Sequence, residues 1–213
     1  MKSNRKFTIK AVSLVVAGLV VSSVTTASTI PSSIAKFSPD TPDHVLKAKR
    51  SSWRDPAFGD MGWTHSSDWG RFAVKRGQTV TIKAISSVVG LHPGITVWYR
   101  GKDDTAPNNY VVDHFYPQNA NTVEFGAKDE TTGAPIGNIV MKVVAFGYDQ
   151  DNNNKNPKAM NGITDGVPGQ VELTFKAPST GHYMFVVGGF NPDDSVDPAL
   201  KHDINTNVSV VNP

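Results

Sequence analysis

The chain has 213 residues, with 21 Lys and Arg against 19 Asp and Glu, and it contains no cysteine. The missing cysteines exclude thiolate metal ligands, thiol nucleophiles, zinc knuckles and disulfides. The near-balanced charge excludes nucleic-acid binding driven by phosphate neutralisation.

Lys2, Arg5, Lys6 and Lys10 precede an apolar run from Ala11 to Val24, and Thr25-Thr26-Ala27 offers a small-residue cleavage site. Residues 1–27 read as a secretory signal peptide, too short for a typical membrane span. Their removal leaves 17 basic and 19 acidic side chains, a net charge of about −2. No later apolar run approaches spanning length, so the mature chain is expected to be secreted, at the outer cell surface or in the periplasm. Residues 28–50 carry Pro31, Pro39 and Pro42 and end in Lys47-Ala48-Lys49-Arg50, which reads as a flexible N-terminal arm. Residues 51–213 then form one domain, long enough to bury a core without disulfides.

Phe72 and Val74, then Val80, Ile82 and Ala84, alternate with polar residues around a turn at Arg76-Gly77-Gln78. Ile95 to Tyr99 is β-branched and aromatic, Tyr110 to Tyr116 is a further candidate strand, and Asn138 to Tyr148 is a long apolar run. Val171, Leu173 and Phe175 alternate, as do Tyr183, Phe185 and Val187, and Val208 and Val210 close the chain. No segment keeps a 3.6-residue apolar period. The pattern, punctuated by 18 Gly and 14 Pro, predicts an all-β fold, an antiparallel β-sandwich, jelly-roll-like, with long loops and little helix. The stretch from Phe175 to Gly189 resembles the closing hairpin of secreted jelly-roll modules such as bacterial pre-peptidase C-terminal domains, a likeness that bears on fold alone.

Three of the four tryptophans fall between Trp53 and Trp69. Within that run, Trp63-Thr64-His65 sets an oxidisable aromatic and an imidazole two residues apart, on the same side of an extended segment. Of the six histidines, His44 and His92 read as exposed, His182 as a cross-strand packing residue, and His202 as part of a polar stretch. His65 and His114, the latter in Asp113-His114-Phe115-Tyr116, are each either a satisfied half-buried residue or a metal ligand. Asp68, Asp113 or a backbone carbonyl could fix the tautomer of a ligating ring. Two imidazoles beside an aromatic suit copper(I), and Met61 could add a thioether. A zinc site would want a further strong ligand that the sequence does not single out.

Trp63-Thr64-His65 resembles the motif of the CorA and MopE family, copper-repressible, surface-associated copper(I)-binding proteins of methanotrophic bacteria. The resemblance implies that Trp63 is oxidised to kynurenine, whose freed aryl amine can donate to a metal as an indole nitrogen cannot readily do. It implies that His65 is the first imidazole ligand and that a second histidine lies downstream; His114 is the choice and His202 the alternative. The expected function is copper acquisition or handling at the cell surface, with one copper(I) ion as ligand. Outer-membrane surface proteins are the expected partners, and no enzymatic activity is expected.

Asp149-Gln150-Asp151-Asn152-Asn153 has the spacing that opens a calcium loop, although Asn154 stands where an EF-hand has Gly and Met160 where it has Glu. Asp149, Asp151 and Asn153 are therefore candidate calcium ligands, with Asp165 as a helper. The rival functional reading is a non-catalytic jelly-roll module that binds carbohydrate or another surface partner, stabilised by calcium there. A copper redox enzyme ranks below it, because no substrate pocket is marked. The sequence holds no G-x-S-x-G and no H-E-x-x-H.

Overall fold

The computed structural model describes residues 34–53, 67–107, 121–129, 132–152 and 161–213. Among these residues the strands are β1 (Ile34–Lys36), β2 (Asp43–Ala48), β3 (Asp68–Val74), β4 (Thr79–Ser86), β5 (His92–Tyr99), β6 (Asn121–Lys128), β7 (Pro135–Asp149), β8 (Gly162–Ile163), β9 (Gln170–Lys176), β10 (Gly181–Phe190) and β11 (His202–Val211), and there is no helix. One sheet runs β1-β3-β10-β5-β7-β6, with β8 beside β7; the other runs β2-β11-β4-β9. Pairing is antiparallel except where β1 meets β3 and β8 meets β7. The expected all-β sandwich is the observed architecture.

Side-chain alternation decides which faces meet. Val80, Ile82 and Ala84 of β4, Val171 and Leu173 of β9, and Ile204 and Val208 of β11 point into the sandwich. From the larger sheet, Phe72, Val74, Ile95, Val97, Tyr183, Phe185 and Val187 meet them there. Burying each large apolar side chain contributes about 1.5–3 kcal/mol. β10 is buried on both faces: its alternate residues Met184 and Val186 join Trp69, Trp98, Ala127, Ile139 and Met141 in a second cluster on the outer face of the larger sheet. Trp69 stacks on Trp98 there, with ring centroids 5.1 Å apart. Neither indole N–H meets an acceptor among the described residues.

The segment expected to be a flexible arm instead supplies β1 and β2. Phe37 and Leu46 are 2% and 3% exposed, and Phe37 packs 5.2 Å from Phe185. Their burial offsets the entropy that would otherwise leave a proline-rich arm loose. The expected closing hairpin is also corrected: β9 and β10 lie in different sheets, as do β3 and β4. Both connections are crossovers at one end of the sandwich, and they hold each other. Gly77 N donates to Ala177 O at 2.9 Å, Ala177 N donates to Gln78 O at 2.8 Å, and Arg76 N donates to the Thr180 hydroxyl at 2.8 Å.

Candidate metal centre

Trp63, His65 and Met61 fall in residues 54–66, and His114 falls in residues 108–120; all lie outside the described residues. The described frame is what flanks them. Trp53 lies on the outer face of the larger sheet, against Gly94 and Gly188: a Cβ on Gly94 would overlap its indole, and one on Gly188 would overlap its Cβ and backbone. Its Nε1 donates to the Thr96 hydroxyl at 3.1 Å, and its ring centroid is 5.2 Å from that of Tyr148. The chain is described again from Ser67, which bridges to Ala48, and Trp69 then enters the outer cluster. Trp53 before the first candidate run and Trp69 after it thus share the outer face of the larger sheet.

Before the second run, Arg100 grips Asp104 with two bonds, Nε to Oδ2 at 2.7 Å and Nη2 to Oδ1 at 2.9 Å. Thr105 N and Ala106 N both donate to Asn138 O, and Ala106 packs against the outer cluster. After the run, Asn121 pairs with Lys142 at the start of β6, whose Ala127 belongs to the same cluster.

Among the described residues no three His, Asp or Glu side chains stand together as a metal site. His44 Nε2 lies 3.0 Å from Lys36 O, and its ring meets Phe37 edge-on. His182 is exposed, not packed across strands as expected. His202 opens β11 with Nε2 3.3 Å from Asp197 O. Asp68 accepts from Lys47 N at 2.9 Å and pairs with Lys201 at 3.3 Å.

His92 departs most from expectation. It is buried, and its Nδ1 lies 2.6 Å from Asp149 Oδ2, whose side chain is fully buried. The same oxygen accepts from Gly169 N at 2.6 Å, while Oδ1 accepts from Asp151 N at 2.9 Å. Asp151 Oδ2 accepts from the N–H groups of Asp165, Gly166 and Val167. At Asp165, burial raises the carboxyl pKa, but bonds from the Gln170 side chain and Val167 N outweigh it and hold the value below 3.8. Asp149 and Asp151 therefore tie the 165–169 loop to the end of β7. Asn153 lies outside the described residues.

Residues 25–197 match the model of the family described as copper(I)-binding protein CorA-like. The chain belongs to this family. Among solved structures it is similar to CorA of Methylomicrobium album BG8, described as a surface-associated copper-binding protein important in copper acquisition. The identity is 32%, the TM-score 0.71, and 84% of this chain and 98% of that one are covered. It also shares the fold of MopE, a secreted protein of Methylococcus capsulatus in which an oxidized tryptophan is described as facilitating copper binding. Here the identity is 22% and the TM-score 0.58, over 86% of this chain and 91% of that one. Among curated proteins, none matches the chain by sequence.

The part of this CorA-like chain that matches the family contains Trp63, His65, His114, Asp149, Asp151 and Asn153 and stops before His202. No local signal marks His92 as paired, because Asp149 is 57 residues away and only the β5–β7 pairing brings them together.

Proposed function

We propose that the secreted chain binds one copper(I) ion through His65, His114 and a kynurenine formed from Trp63, and serves copper acquisition at the cell surface. The observation that carries this reading is the coincidence of the Trp63-Thr64-His65 motif with membership of a copper(I)-binding family over residues 25–197. The similarity to CorA, described as surface-associated and important in copper acquisition, supports the place and purpose. His114 is favoured over His202 because the family match includes it and ends before His202.

The donor set fits the metal. With no thiol in the chain, neutral imidazoles and an aryl amine are the nitrogen ligands available to a soft monovalent ion. Both imidazoles must be deprotonated to bind, so affinity falls as pH drops through the range where histidine protonates.

A calcium ion at Asp149 and Asp151 would have to share oxygens that already accept from N–H groups and from His92. Copper is therefore the cation carried forward. The carbohydrate reading also lacks a stacking platform among the described residues, where Phe125 is the one large exposed aromatic.

The test is protein purified from its native host, with metal analysis and peptide mapping across Trp63. Copper near one equivalent, with the kynurenine mass increment on the Trp63 peptide, is the expected result. Absence of copper together with an unmodified Trp63 overturns the proposal.

A further inference from the structure

At one end of the larger sheet's outer face, beyond the Trp69–Trp98 stack, polar side chains replace the apolar ones. Arg71 on β3 stands opposite Met184 on β10, and His182 stands opposite Ala73. Arg100 follows β5, and its N–H donates to His182 O at 3.1 Å. Arg71, Arg100, Asp104, His182 and Met184 line a small cavity of about 50 Å³.

Among the described residues that line it, two guanidiniums face one carboxylate. The Arg100 and Asp104 side chains are almost fully buried, at 6% and 7% exposed, and are joined by the two-pronged bond, while Arg100 Nη1 also donates to Met184 Sδ at 2.7 Å. Asp104 Oδ2 also accepts from Val140 N at 2.8 Å, so its carboxylate is committed. The half-buried Arg71 guanidinium has no acceptor among the described residues, and His182 beside it has no side-chain partner there. A guanidinium held in a partly dehydrated recess near a second one is less favourable than in open water, and a bound anion would offset that cost. Its fork of N–H donors matches oxyanion geometry.

We propose that this recess is a binding site for a small oxyanion of sulfate or phosphate type, held by Arg71 with His182 as second donor. Its volume admits a few water molecules or one tetrahedral oxyanion group, and excludes a sugar or a nucleotide base. The ligand is either the free ion or the phosphate head of a larger molecule such as a lipid. The site is independent of the copper reading, since neither Arg71 nor His182 is among the proposed copper ligands.

Sulfate is the first probe, titrated into the full mature chain by calorimetry at low ionic strength, with potassium chloride as ionic-strength control. Saturable 1:1 binding in the millimolar range or tighter is expected. Arg71→Gln should weaken it roughly tenfold to a hundredfold, His182→Gln should weaken it less, and Arg71→Lys should restore part of the loss. If Arg71→Gln fails to fold by circular dichroism, the shift of the Arg71 Nε–H resonance on sulfate addition to the wild type decides instead. Phosphate should compete with sulfate. Sedimentation with vesicles containing phosphatidic acid separates the sources: Arg71-dependent binding assigns a lipid phosphate, and sulfate binding without vesicle binding assigns the free ion. Equal sulfate binding by wild type and Arg71→Gln, or no saturable binding by the wild type, overturns the proposal. Copper content should be the same in all these variants.

Discussion

Tyr183 Oη donates to the Ser179 carbonyl oxygen at 2.7 Å, and the Ser179 N–H donates to the same hydroxyl at 3.2 Å. The ring is fully buried and stacks on Phe72, with centroids 5.5 Å apart and planes 8° from parallel. One side chain thus locks the β9–β10 crossover onto the sheet it enters. Burial, opposed by the Ser179 bond, pushes the phenol above its ordinary pKa of 10.0. A raised acid pKa means the fold favours the protonated form. Its contribution is complete below the unfolded value and is lost as pH rises through the folded one. Tyr183→Phe should cost about 1–3 kcal/mol at neutral pH. The gap between wild type and variant should narrow above about pH 10, because only the wild type has this phenol to ionise. Urea midpoints across that range check it, and a gap that stays constant contradicts the assignment.

Asp149 should be the costliest carboxylate to remove. It serves His92, Gly169 N and Asp151 N from a fully buried position. Asp149→Ala strands all three donors and should destabilise by about 3–5 kcal/mol. His92→Gln keeps a donor near Asp149 and should cost about 1–2 kcal/mol. Denaturant unfolding of the two variants measures the difference. A loss below about 1 kcal/mol for Asp149→Ala would show that this carboxylate does not anchor the 165–169 loop.

The strands were readable where one face is buried and the other is not. Val80, Ile82 and Ala84 alternate with polar residues because β4 has one inward face. Connectivity was less readable. A turn such as Arg76-Gly77-Gln78 looks the same whether it closes a hairpin or crosses between sheets, and in β10 the residues between Tyr183, Phe185 and Val187 are apolar and buried too, so its pattern does not say which sheet holds it. β1 and β2 were hidden because the large buried residues of that segment, Phe37 just after β1 and Leu46 in β2, are isolated among prolines and charges and gain meaning only against Phe185 and the core. The same distance problem hid the His92–Asp149 pair. Of the proposed metal centre, Trp63-Thr64-His65 is a local motif that a sequence can show, whereas the proposed second ligand, His114, stands 49 positions beyond His65 with no fixed spacing to announce it.

Gly188 should be intolerant of a side chain, for a reason that reaches the candidate site. An added Cβ would overlap Trp53, whose indole N–H is held by Thr96 on the neighbouring strand. Trp53 is the last described residue before the run that carries Trp63 and His65. Gly188→Ala should destabilise by about 1–3 kcal/mol through overpacking. Its copper retention under a competing chelator should also fall, and by more than that of a surface variant of equal stability. Equal retention in the two would mean that the Trp53 dock does not support the metal run.

The ligand set makes the sharpest prediction, because the family match includes His65 and His114 and ends before His202. His202 has Nε2 against the Asp197 carbonyl oxygen and lies beyond the family match. His65→Ala and His114→Ala should each lose most bound copper, whereas His202→Ala should retain it. Trp63→Phe cannot form kynurenine and should bind more weakly than wild type while folding as well. If the metal needs two neutral imidazoles, acidifying the wild type below about pH 6 should release copper with more than one proton taken up per ion. His65→Ala should show a shallower dependence. Copper quantified after dialysis against a copper(I) chelator over a pH series reads all of these together. Retention by His114→Ala with loss by His202→Ala would exchange their roles. Retention by His65→Ala would remove the Trp63-Thr64-His65 motif from the site altogether.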